Sequence, residues 1–91
     1  MASEEQLKRA IKDISQRQRS VRFEEIEWVM NHLPDIGIQV RRFGQNQHYT
    51  YVVAALPPFQ LCTHHRGQSQ VRFGYVNKFV DRMIELGLLD D

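Results

Sequence analysis

The sequence predicts an α+β fold, a two-layer sandwich in which a three-stranded antiparallel sheet carries helices on one face. Three observations support this. Apolar residues recur at helical spacing toward both ends of the chain, and the centre alternates with the period of a strand. The central strand candidates are joined by segments too short for a crossover, so consecutive strands pair antiparallel. Ninety-one residues provide one modest core, and the whole chain, 1–91, reads as a single domain.

The first segment, SEEQLKRAIKDISQ, predicts a helix over 3–16. Ser3 is placed to cap it, Glu4 and Glu5 favour the positive end of the helix dipole, and Leu7, Ala10, Ile11 and Ile14 form one apolar stripe. A core unit over 20–89 follows. VRFEEIEWVMNHL is a second helix with Phe23, Ile26, Met30 and Leu33 on one face, stopped by Pro34. IGIQVRRF then alternates Ile36, Ile38 and Val40 against Gly37, Gln39 and Arg41 as a first strand. GQNQ supplies turn residues, and HYTYVVAA is an aromatic and β-branched second strand ended by Pro57-Pro58. FQLCTH is a short third strand and HRGQSQ a loop. The last helix carries Val76, Phe79, Val80, Met83 and Ile84 on one face, with Gly87 as its expected left-handed C′ residue.

Composition narrows the chemistry. Cys62 is the single cysteine, which excludes an intramolecular disulfide and a cysteine-based zinc site. In a short apolar strand it reads as an inert small hydrophobe. There is no glycine-rich phosphate loop, CxxC, HExxH or nucleophile turn, and no cofactor is implied. No apolar run is long enough to span a membrane and no signal pattern precedes the first helix, so a cytoplasmic protein without membrane contact is expected.

The net charge is +1, but its distribution is uneven. From Ile36 to Val80 there is no acid, while Arg41, Arg42, Arg66, Arg72 and Lys78 fall in that interval. A basic centre of this kind attracts a polyanion locally, and these five residues are the candidate phosphate contacts. A solvated basic surface without a ligand is the competing reading.

Of the four histidines, His32 lies late in the second helix, where a positive charge suits the C-terminal end. His64 and His65 are neighbours in an extended segment and point to opposite faces, a poor arrangement for holding one metal, so no metal site is expected. His48 opens the second strand. Tyr49, Tyr51 and Val53 share one face of that strand, which leaves His48, Thr50 and Val52 on the open side. Arg41 or Arg42 would lie across the hairpin from His48, pairing a cation for phosphate with an imidazole that transfers protons near neutral pH. That combination suits RNA cleavage, in which the 2′-hydroxyl is the nucleophile. A surface histidine at a hairpin edge remains the alternative.

SVRFEEIEWVM, GIQVRRFGQNQHYTY and CTHHRGQSQVRFGYVNKFVDRMIELGLL together resemble the HicA-like family of small toxins. In that likeness Gly37 stands for the glycine at the first strand, His48 and Tyr51 for His-x-x-Tyr, and Gly87-Leu88 for the closing Gly-Leu. The resemblance implies a double-stranded-RNA-binding-like α-β-β-β-α fold and a metal-independent mRNA endoribonuclease. It further implies His48 as the catalytic residue and inhibition by a HicB-type antitoxin; no DNA contact is expected. Gly44-Gln45-Asn46-Gln47-His48 is two residues longer than the Gly-Ser-His of the family, with glutamine in place of serine. The alternative function is a non-catalytic RNA- or protein-binding module of the same fold. A third reading is a protein-binding adaptor using the open face or Trp28.

Overall fold

The computed structural model describes residues 1–45, 48–62 and 70–90. Along the chain run helix α1 (Glu4–Ser15), helix α2 (Phe23–His32), a 3-10 turn (Leu33–Ile36), strands β1 (Val40–Gln45), β2 (His48–Val53) and β3 (Phe59–Cys62), and helix α3 (Phe73–Glu85). Behind α1 this is the expected α-β-β-β-α order, with an antiparallel sheet of strand order β1-β2-β3. Among the described residues, no helix is long and apolar enough to cross a membrane.

α1 begins where its sequence says it should. Ser3 Oγ accepts the Gln6 N–H at 3.1 Å, and Gln6 Oε1 accepts the Ser3 N–H at 3.0 Å. This reciprocal capping box satisfies two of the N–H groups a helix start leaves unpaired, and such caps contribute about 1 kcal/mol. Leu7, Ile11 and Ile14 are buried between α2 and α3. At the opposite end of the chain, Gly87 takes a left-handed φ of 78°. Its N–H reaches the Ile84 carbonyl at 2.9 Å, and Leu88 N–H reaches Met83 at 3.0 Å. Buried Leu88 against Met83 completes the closing motif of α3.

An aromatic series ties the helices to the sheet. Phe23 of α2 meets Tyr49 at 5.4 Å between centroids, Tyr51 stacks on Phe59 at 5.8 Å, and Phe59 meets Phe79 of α3 at 6.4 Å. These rings, with Val53 and Leu61, fill the helix-side face of the sheet. The segment before α3 is also tied to the link between α1 and α2. Val71 N–H donates to the Val21 carbonyl at 2.9 Å, and Gln70 Nε2 donates to the Arg19 carbonyl at 2.7 Å.

Three boundaries differ from the sequence reading. The first strand starts at Val40, not Ile36, because Leu33–Ile36 adds a tight helical turn after α2. Pro34 is tolerated in its opening position, where no N–H is needed, and Gly37 at φ 85° closes it. Gly37 is thus a helix-end residue rather than a strand glycine. β2 ends at Val53, since Ala54 adopts a φ of 49° and Leu56 N–H closes a turn onto the Val53 carbonyl. The chain has therefore left the sheet before Pro57-Pro58. Gly44 and Gln45, expected in the turn, are the last residues of β1.

Two predictions follow from buried or tethered polar groups. Tyr51 is 1% exposed, and among the described residues its hydroxyl has no partner at good hydrogen-bond geometry; burial pushes its pKa up, against the opposing pull of the nearby Arg42 guanidinium. Leaving such a group unpaired costs on the order of 1 kcal/mol. Tyr51→Phe is expected to keep the fold and to raise the melting temperature by a few degrees, measured by circular dichroism. A fall of several degrees would show that the hydroxyl is satisfied. Asp35 Oδ2 accepts the Ala2 N–H at 2.8 Å and lies 2.8 Å from His32 Nδ1. Those partners, the Ala2 N–H first, hold the Asp35 carboxyl below its ordinary range. A lowered carboxyl pKa stabilises above the unfolded value of about 3.9 and loses that contribution as pH falls through the lower folded value. Asp35→Asn is therefore expected to melt below wild type at pH 7, with the gap closing in melts near pH 3.

Candidate nucleic-acid interface on the open sheet face

The pairing of β1 with β2 decides which side chains share the open face. Val40 pairs with Val53 and Arg42 with Tyr51 on the helix side. Arg41 pairs with Val52, Phe43 with Thr50 and Gln45 with His48 on the other. β3 extends the pattern, because Phe59 and Leu61 are buried while Gln60 pairs with Thr50 and Cys62 with His48 on the open side. The described part of this face contains no acid.

His48 is exposed at the start of β2, as its strand position predicts. Its direct neighbours were not those expected. Across β1 it faces Gln45, and on the β3 side its Nδ1 lies 3.3 Å from Cys62 Sγ. Arg41 shares the face but pairs with Val52, four residues along β2, a separation of about 13 Å at 3.3 Å per residue. Arg42 is turned to the helix side. It reaches Glu27 Oε2 at 3.3 Å and sits 4.6 Å from the Tyr49 ring centroid, so its charge is already partnered.

Cys62 is not the inert buried thiol its apolar strand suggested. It is partly exposed and touches His48, and it also acts on Tyr75 of α3. A hydrogen bond to the Cys62 sulfur, together with its charge when ionised, raises the Tyr75 pKa, while the Arg72 charge opposes that rise. Tyr75, Cys62 and His48 thus lie together at one end of the sheet, with the Arg72 charge acting on Tyr75. Lys78 is exposed farther along α3. Arg66, His64 and His65 lie outside the described residues. Among the described residues, no three histidine, cysteine or acidic side chains cluster in a way that would hold a metal.

Two features escaped the sequence reading. Phe43 is 53% exposed on edge strand β1 of the open face, with the Arg41 guanidinium over its ring at 5.6 Å from the centroid. Phe73, 40% exposed at the start of α3, carries Arg19 over its ring at 4.4 Å. Strand alternation in VRRF carried the signal for Phe43: with Val40 inward, Arg41 and Phe43 must point outward.

The hairpin that presents His48 depends on Gly44. Its φ is 111°, and a Cβ there would stand 2.2 Å from the His48 carbonyl oxygen. Backbone cannot yield to that contact as a flexible side chain would. Gly44→Ala is expected to destabilise the protein by about 1–3 kcal/mol and to shift the His48 ring signals in a proton–nitrogen spectrum. Unchanged stability and ring shifts would show that the hairpin adapts.

No protein-family model, curated protein or solved structure matches the chain.

Proposed function

We propose that this protein binds RNA and, as a HicA-like toxin, cuts mRNA with His48 as the proton-transfer group. One observation supports the reading above the others: an exposed imidazole on an acid-free sheet face, contacted through Nδ1 by Cys62. With Nδ1–H donating to the Cys62 sulfur, the lone pair of the neutral ring sits on Nε2, the nitrogen left for a ligand. In the cleavage, the 2′-oxygen loses its proton and attacks the adjacent phosphorus, and the bond from phosphorus to the 5′-oxygen breaks. The products are a 2′,3′-cyclic phosphate and a 5′-hydroxyl. His48 Nε2 takes the 2′-hydroxyl proton and the imidazolium returns it to the leaving 5′-oxygen, while the backbone geometry of the RNA brings the 2′-oxygen in line. Arg41 is the described cation on the open face that could hold phosphate, and a HicB-type antitoxin would cover the same face.

A non-catalytic RNA-binding module is the second reading, favoured by the separation of about 13 Å between Arg41 and His48. The two readings part on one assay. Purified protein is incubated with mixed mRNA in EDTA, beside folded His48→Ala. Cyclic-phosphate ends produced by wild type and lost by at least about a hundredfold in the variant are the expected result for general acid–base catalysis. Intact RNA with both proteins would remove the enzyme and leave the module. Under either reading, Arg41→Ala should weaken RNA binding and reduce the salt slope by about 0.7, measured by anisotropy titrations across KCl concentrations.

A further inference from the structure

We infer that the open face takes single-stranded RNA, with one base stacked on Phe43 and its phosphate near Arg41. This rests on the RNA-binding reading above and names the substrate class for that same face. Three observations carry it. Phe43 leaves 53% of its surface exposed on edge strand β1, whose residues are exposed apart from Val40. Arg41 lies 5.6 Å from the ring centroid, so a cation stands beside the aromatic surface without acids to compete for it. Thr50, paired with Phe43 in the same row, and Gln45, in the next row, offer hydrogen bonds to base edges or ribose.

The geometry favours a single strand over a duplex. A duplex keeps its base faces inside the stack and presents closely spaced phosphates, which call for several converging cations. Among the described residues this face has Arg41 and one ring, a combination that gains affinity by stacking an unpaired base. The row of Phe43 and Thr50 lies two residues from the row of Gln45 and His48, about 7 Å along the strands. A base on Phe43 therefore places the neighbouring phosphodiester over His48, within the span of one extended nucleotide. Other surfaces fit less well. The groove between α1 and α2 is lined by Asp13, Glu24 and Glu25, which repel a polyanion. At Phe73 the Arg19 guanidinium sits closer, at 4.4 Å, and occupies a ring face that a base would need.

The test is binding, kept separate from cleavage by a probe that cannot be cut. Fluorescent 2′-O-methyl oligo(A) has no free 2′-hydroxyl; it is titrated as a single strand and as a duplex with 2′-O-methyl oligo(U). Wild type should bind the single strand about tenfold more tightly or better. Phe43→Ala should lose about tenfold on the single strand, while Phe43→Tyr, which keeps the ring, should stay within about threefold of wild type. A duplex bound as tightly as the single strand, or Phe43→Ala binding like wild type, would overturn the inference and leave RNA binding standing. No binding of either probe would overturn both.

Discussion

The register of β2 is the constraint on which the rest of the molecule depends. Tyr51 and Val53 must face the helices, since together with Phe59 and Leu61 they form the sheet's share of the core. A slip of one residue would bring His48, Thr50 and Val52 inward and expose two of the best-buried side chains. Burying an aromatic or branched aliphatic side chain stabilises by about 1.5–3 kcal/mol each, so the slipped register loses a large part of the stability of a domain this size. His48 is held on the open face by that penalty, and its contact with the Cys62 sulfur lies on the same side.

The helices add a second constraint from behind. α2 meets the sheet through Phe23 and Tyr49, and α3 meets it through Phe79 and Phe59. α1 lies against both helices, with its buried stripe completing the core. Hydrogen bonds from Val71 and Gln70 to the link after α1 tie the start of α3 to the same scaffold. Tyr75 is thereby brought to Cys62, so a residue of the last helix becomes part of the surroundings of a histidine in the second strand. Arg17, bonded to Asp13, Glu25 and the Ser20 carbonyl, fastens the α1–α2 junction; these partners raise its pKa further above the already high arginine range.

Among the described residues the cations are dispersed rather than gathered into a basic patch. Arg42 is partnered by Glu27 and Tyr49, Arg41 is the described cation of the open face, and Arg72 and Lys78 belong to α3 and its cap. A surface of this kind holds a polyanion through one or two phosphates and needs another source of affinity. An exposed ring on the same face supplies one that does not depend on salt to the same degree. The acid-free interval in the sequence is real, but among the described residues the linear proximity of cations did not translate into a shared surface.

Much of the architecture was legible in the sequence by itself. Helical spacing, the Ser3 cap, the Gly87 end and the alternation of Tyr49, Tyr51 and Val53 all depend on residues a few positions apart, and local periodicity encodes them. For the same reason the open-face position of His48 could be read directly. Gly37 and the end of β2 were misplaced because a 3-10 turn and a positive φ at Ala54 leave little trace in hydrophobic pattern. Only the tertiary structure decided who meets whom. The pairing of Gln45 with His48 sets Arg41 far along the face, the pairing of Cys62 with His48 turns a quiet thiol into its neighbour, and Glu27 claims Arg42 from another element. Strand register and helix packing join residues distant along the chain, and no local pattern of spacing carries that information.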